Sequence, residues 1–108
     1  MAFSATLETI NDIAQITLSG DLDASSAGLF KAEIEKAAGQ PVKHLVLLMK
    51  DLEYIASAGL RVLIFAKQKM GVHADIYVVG AQEMVLDTLE KTGFDQSVIV
   101  TDTYVIAA

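Results

Sequence analysis

His44-Leu45-Val46-Leu47-Leu48-Met49 is an unbroken apolar run of strand length, the pattern of a strand that is covered on both faces and lies mid-sheet. Upstream, Gly39 and Pro41 close a helix that Ala27, Phe30, Ile34 and Ala37 define by their spacing, after the short polar side chains of Asp21-Leu22-Asp23-Ala24-Ser25-Ser26. Further upstream, Thr6 to Ile10 and Ile13 to Leu18 flank Asn11-Asp12 and predict a β-hairpin with Ile16 and Leu18 on one face. Downstream, Tyr54 to Leu60 leads into a second helix over Arg61 to Met70, stopped by Gly71. A strand at Asp75 to Val79, a helix at Gln82 to Thr92 ended by Gly93, and a last strand at Ser97 to Val100 follow. Thr103 to Ile106 forms either a short extra strand or a loose terminus. The order β-β-α-β-α-β-α-β predicts an α/β fold: an N-terminal antiparallel hairpin, then mostly parallel strands with right-handed crossovers packing helices on the sheet.

A chain of 108 residues is expected to form a single domain, residues 1–108, with its own core. Apolar residues make up 53% and charged ones 20%, which places the chain far from disordered composition. Eight basic against fourteen acidic residues give a net charge of −6, and the scattered cations exclude a footprint for nucleic acid or anionic membranes. Without cysteine there is no disulfide, thiol nucleophile or thiolate metal site. The start of the chain lacks a secretory pattern and no run is long enough to span a bilayer, so a cytoplasmic location is expected.

Neither Gly-x-x-x-x-Gly-Lys-Ser/Thr nor Gly-x-Gly-x-x-Gly occurs, which argues against an NTPase or dinucleotide enzyme. His44 begins a buried strand and His73 follows a helix, so neither is placed as a base beside a nucleophile. Asp21, Asp23 and Ser25 have the spacing that opens a calcium loop, but Ser26 stands where glycine is required and Ala32 where the bidentate glutamate belongs. No metal and no cofactor are expected, and the two aspartates read as groups near a helix N-terminus. Ser57 precedes the second helix, where its hydroxyl can cap the first turn, and Gly59 keeps that turn uncrowded. At ~100° per residue, Val62, Leu63, Ala66 and Met70 face the sheet, while Ser57, Arg61, Ile64 and Gln68 face outward with Phe65 at the edge. Ile64 and Phe65 are thus large apolar groups on the expected outer face, beside a hydroxyl and a cation, and have the makeup of a docking patch with a polar rim.

Leu18-Ser19-Gly20-Asp21-Leu22-Asp23, His44-Leu45-Val46-Leu47, Asp51-Leu52 and above all Ile55-Ala56-Ser57-Ala58-Gly59-Leu60, in this order, resemble the STAS domain over nearly the whole chain. That family includes bacterial anti-sigma factor antagonists and the cytoplasmic tails of sulfate transporters; the latter is the weaker match, with no membrane span ahead of the domain. The resemblance implies a non-enzymatic, partner-switching protein. Unphosphorylated, it binds a GHKL-type serine kinase that is also the anti-sigma factor; phosphorylated at Ser57, it lets go until a PP2C-type phosphatase restores it. The partner surface so implied comprises Asp21, Asp23, Ser57, Gly59, Arg61, Ile64, Phe65 and Gln68. The chain departs from the usual kinase substrates at Ala56, where an acidic residue is common before the serine, and at Leu48, where Asp or Asn is frequent. Those departures motivate an alternative, a constitutive STAS scaffold subunit of a signalling complex. A small-molecule sensor is a third reading, because α/β domains bind ligands at strand ends.

Overall fold

The computed structural model describes residues 2–104. Its elements run β1 (Ser4–Ile10), β2 (Ile13–Leu22), α1 (Ala27–Ala38), β3 (His44–Ile55), α2 (Ser57–Met70), β4 (Asp75–Val79), α3 (Glu83–Thr92), a 3-10 turn (Phe94–Gln96) and β5 (Ile99–Thr101). They form one five-stranded sheet in the order β1-β2-β3-β4-β5, with β1 and β2 antiparallel and every later pair parallel. This is the mixed sheet that the sequence predicts. Asn11 makes the hairpin turn at φ 56, a conformation asparagine tolerates better than most residues. Thr103 and Tyr104 carry no strand, and the rest of that predicted segment lies outside the described residues.

Ala14, Ile16 and Leu18 of β2 pack with Leu45, Leu47 and Met49 of β3 and Ile76 and Val78 of β4 against the apolar sides of all three helices. The intervening residues Ile13, Val46 and Val79 form a smaller cluster on the other face with Leu48, Tyr77 and Tyr104. Both faces of the 44–49 run are therefore covered, one by helices and one by aromatic rings. His44 belongs to the second face, half-buried, with its ring 5.7 Å from Tyr77 and its Nδ1 buried with no hydrogen-bond partner among the described residues. His73 is exposed.

The largest difference from expectation is in length. β2 runs to Leu22 rather than Leu18, and β3 runs to Ile55 rather than Met49. The register explains how. Thr17 pairs with Leu48 but Ser19 with Asp51, and Gly20 pairs with Leu52 but Asp21 with Tyr54, so β3 carries two extra residues relative to β2. Each bulge shifts the alternation, and the helix-facing residues of β3 become Leu45, Leu47, Met49, Leu52 and Ile55, the last three at intervals of three. A strand built this way keeps its apolar side inward while its sequence loses the two-residue period.

Candidate functional site

The extended β2–β3 pair delivers two segments to one end of the sheet, where both strands finish. Leu22 pairs with Ile55, and the Ala56 N–H donates to the Leu22 carbonyl at 2.8 Å, so the loop at 21–26 and the start of α2 lie side by side. Two stretches more than thirty residues apart in the chain thereby form one surface.

Within the loop, Oδ1 of Asp23 accepts from the backbone N–H of Ser25 at 3.0 Å and of Ser26 at 3.2 Å, and from the Ser25 hydroxyl at 2.7 Å. The Asp23 carbonyl accepts from Ala27 N–H at 2.9 Å, which closes the first turn of α1. Buried Ser26 is the N-cap residue; its Oγ accepts from the Asp23 N–H at 2.9 Å and lies 2.9 Å from the Asp21 carbonyl oxygen. The Ser25 hydroxyl holds the Asp23 carboxyl below the usual carboxylate range, against a smaller opposing effect of desolvation and with further help from Ser26. Asp23 is thus a charged group fixed by its own loop next to the start of α1, but its oxygen reaches the N–H groups of Ser25 and Ser26 rather than those of the helix, which has no side-chain cap among the described residues. Asp21 contributes its carbonyl to the same network and pairs with Tyr54 across the strands.

Ser57 corrects one expectation. It is the first residue of α2 rather than its cap: Ala56 is the N-cap residue, in extended conformation at φ −93 and ψ 171, and no side chain caps the helix. The Ser57 side chain is exposed, and its hydroxyl makes no hydrogen bond among the described residues. The physical reason is the cap chemistry itself, since only the residue before the first turn directs its oxygen back at the orphan N–H groups.

Gly59 is a second correction. It is buried, and a Cβ there would lie 2.7 Å from Cγ of Leu22 and 3.0 Å from Cγ1 of Ile55. Its missing side chain lets α2 seat on the ends of β2 and β3, and it presents nothing to an outside partner. The helical wheel otherwise holds: Val62, Leu63, Ala66 and Met70 are buried, while Arg61, Ile64 and Gln68 are exposed, Ile64 to 45%. Phe65 turns the other way, half-buried against the core with Nζ of Lys31 from α1 lying 4.8 Å over its ring.

Ser57, Arg61, Ile64 and Gln68 form one wall of a groove of about 460 Å³ whose opposite wall is the turn 92–97. Sequence reasoning missed that second wall. Gly93 ends α3 in the left-handed conformation at φ 76, and Phe94 folds in behind it, only 7% exposed. An aromatic directly after a helix-ending glycine is the available signal, because an apolar residue past a left-handed cap commonly packs back on its helix. Among the described residues there is no cluster of three or more His, Asp or Glu suited to a metal ion, and no helix is long and apolar enough to cross a membrane.

Comparison with known proteins places this arrangement in context. A protein of Bordetella bronchiseptica, BtrV, described as a candidate anti-sigma factor antagonist, is 30% identical over 90 residues, covering 82% of this chain and 78% of BtrV. The crystal structure of an anti-sigma factor antagonist from Mycobacterium paratuberculosis superposes with a TM-score of 0.86 at 20% identity, over 94% of this chain and 87% of that one. The Bacillus cell fate determinant SpoIIAA in its phosphorylated form gives 0.71 at 17% identity over 90% of both chains. These likenesses establish the fold, and the model of the STAS domain matches residues 4–106. Sheet order, bulged β3 and the serine opening α2 therefore sit in a chain that belongs to the STAS domain family.

Proposed function

We propose that this protein is an anti-sigma factor antagonist that works by reversible binding in the cytoplasm and has no catalysis of its own. Unphosphorylated, it binds a GHKL-type serine kinase that doubles as an anti-sigma factor. Phosphorylation of Ser57 releases that partner, and a PP2C-type phosphatase resets the cycle. Asp21 and Asp23 border the partner surface, and Arg61, Ile64 and Gln68 carry it along α2.

The observation behind this reading is the Ser57 hydroxyl: exposed, committed to no hydrogen bond among the described residues, and at the mouth of a groove with an apolar wall. A kinase can reach it without unfolding anything. A phosphoryl group there adds about −1.5 to −2 charges and three acceptor oxygens. Burying such a charge unpaired costs several kcal/mol, and ~3 kcal/mol is already more than a hundredfold in affinity.

Incubation with the cognate kinase and ATP, followed by mass spectrometry, should place the phosphate on Ser57. Ser57→Asp should weaken kinase binding by roughly a hundredfold while Ser57→Ala retains it. Unchanged affinity of Ser57→Asp would instead favour the constitutive scaffold, the reading to which Ala56 and Leu48 lend weight. Leu48 is half-buried in the apolar cluster of the helix-free face and offers no polar group to a partner.

A further inference from the structure

The groove beneath Ser57 has a chemistry of its own. Leu60, Ile64 and Phe94 supply its apolar lining, and Arg61 and Lys67 supply positive charge. At ~100° per residue Ile64 projects midway between those two cations, about 60° from each, so an apolar centre is flanked by charge on both sides. Among the described residues neither cation forms an ion pair, and no acidic residue lines the groove. This occurs in a chain whose acidic residues outnumber its basic ones, fourteen to eight.

We infer that this groove is the docking cleft for an acidic segment of a protein partner, one that inserts a large apolar side chain between Ile64 and Phe94 and sets carboxylates against Arg61 and Lys67. The inference rests on the reading of the Ser57 face as the partner surface, and it names the chemistry of what docks there. Charge complementarity selects this occupant. A basic or neutral segment would leave both guanidinium and ammonium without counter-charge, whereas flanking carboxylates steer association and fix register. A volume of about 460 Å³ accommodates side chains of a docking segment, and the groove lies along α2 from Ser57 to Gln68, about 17 Å at 1.5 Å per residue. The loop at 21–26 lies at the Ser57 end with its two aspartates, so the surface as a whole is bipolar: acidic at the strand ends and cationic along the helix.

The test is selection of a random-peptide phage library on the full-length protein, in parallel on wild type, Arg61→Glu/Lys67→Glu and Arg61→Gln/Lys67→Gln. Wild type should enrich peptides with Asp or Glu on both sides of Leu, Ile, Phe or Met. The charge-reversed variant should enrich Lys and Arg at those places, and the neutral variant should bind the wild-type peptides about tenfold more weakly. Amide shift changes on titrating an enriched peptide should centre on Ile64 and Phe94, and binding should weaken as salt is raised. The neutral pair keeps the test readable if the reversed pair folds poorly. Enrichment without charge preference, identical peptides on all three proteins, or shift changes elsewhere would overturn the inference. So would self-association of wild type that is lost in the neutral variant, because a second copy would then fill the groove. Kinase binding by Ser57→Asp is read separately: loss of peptide selectivity with an intact Ser57 effect refutes only the groove, and intact selectivity without a Ser57 effect refutes only the switch.

Discussion

At Gly59 the absence of a side chain is a packing requirement. The nearest atoms to a would-be Cβ are Cγ and Cδ2 of Leu22 and then Cγ1 of Ile55, all held in the core, so relief needs movement of β2 or of α2 itself. Gly59→Ala is expected to destabilise the protein by up to about 2 kcal/mol, since overpacking of ~1–3 kcal/mol outweighs the ~1 kcal/mol that alanine gains in helix propensity. Urea unfolding checks this. Because α2 would tilt away from Leu22, the variant should also bind partner less tightly despite contacting it nowhere. At this scale the sequence was informative about identity and less so about role. Ser57, Arg61 and Ile64 were legible from helical spacing alone. The inward direction of Gly59 was not, because it depends on Leu22, a residue thirty-seven positions away that only tertiary packing brings close.

The elements that build the site are a bulged strand and an uncapped helix. Ala56 has the extended backbone of an N-cap position but none of the side-chain oxygens that satisfy first-turn N–H groups, and α2 has no acidic residue in its first turn. Ala56→Asp should therefore stabilise the protein by about 1 kcal/mol at neutral pH, raising the thermal midpoint by roughly 4–8 °C, as calorimetry would register. The same carboxylate supplies the acidic residue that the family resemblance leads one to expect before the serine, so, on the proposed phosphorylation of Ser57, faster modification should accompany the stability gain. Failure of the midpoint to rise would mean that the Ala56 position does not direct its side chain to the N–H groups of the first turn. This stretch also marks where sequence reading lost the strand. Lys50-Asp51-Leu52-Glu53-Tyr54-Ile55 has apolar residues three apart, and nothing in a two-residue template accepts that spacing until the bulges against Ser19 and Asp21 are known. The unbroken run at 44–49 needed no such knowledge, and its central place in the sheet followed directly. The turn 92–97 was harder still: Gly93 was legible as a helix stop, but that it forms a wall facing α2 is a property of the assembled fold.

For the molecule as a whole, the arrangement keeps the proposed phosphorylation site apart from the residues that hold the fold together. The core is built from the helix-facing residues of β2, β3 and β4 under three helices, and none of its members hydrogen-bonds the Ser57 hydroxyl among the described residues. A phosphate on that oxygen falls at the N-terminus of a fourteen-residue helix, where the macrodipole favours negative charge by about 0.3–1 kcal/mol. Against this stands a net charge of −6, which the added group makes more negative, with Asp21 and Asp23 on the neighbouring loop. The two effects oppose each other at similar size, so the phosphorylated protein is expected to keep its fold and a thermal midpoint within about 5 °C of the unmodified form. Amide shift changes should be confined to the start of α2, the loop at 21–26 and the groove, with the β4 and β5 signals unmoved. Spread of those changes through β4 would mean that release of the partner is driven by refolding. Confinement would mean that the proposed release of the partner leaves the scaffold folded and unchanged, because the charge is added at an exposed oxygen outside the core.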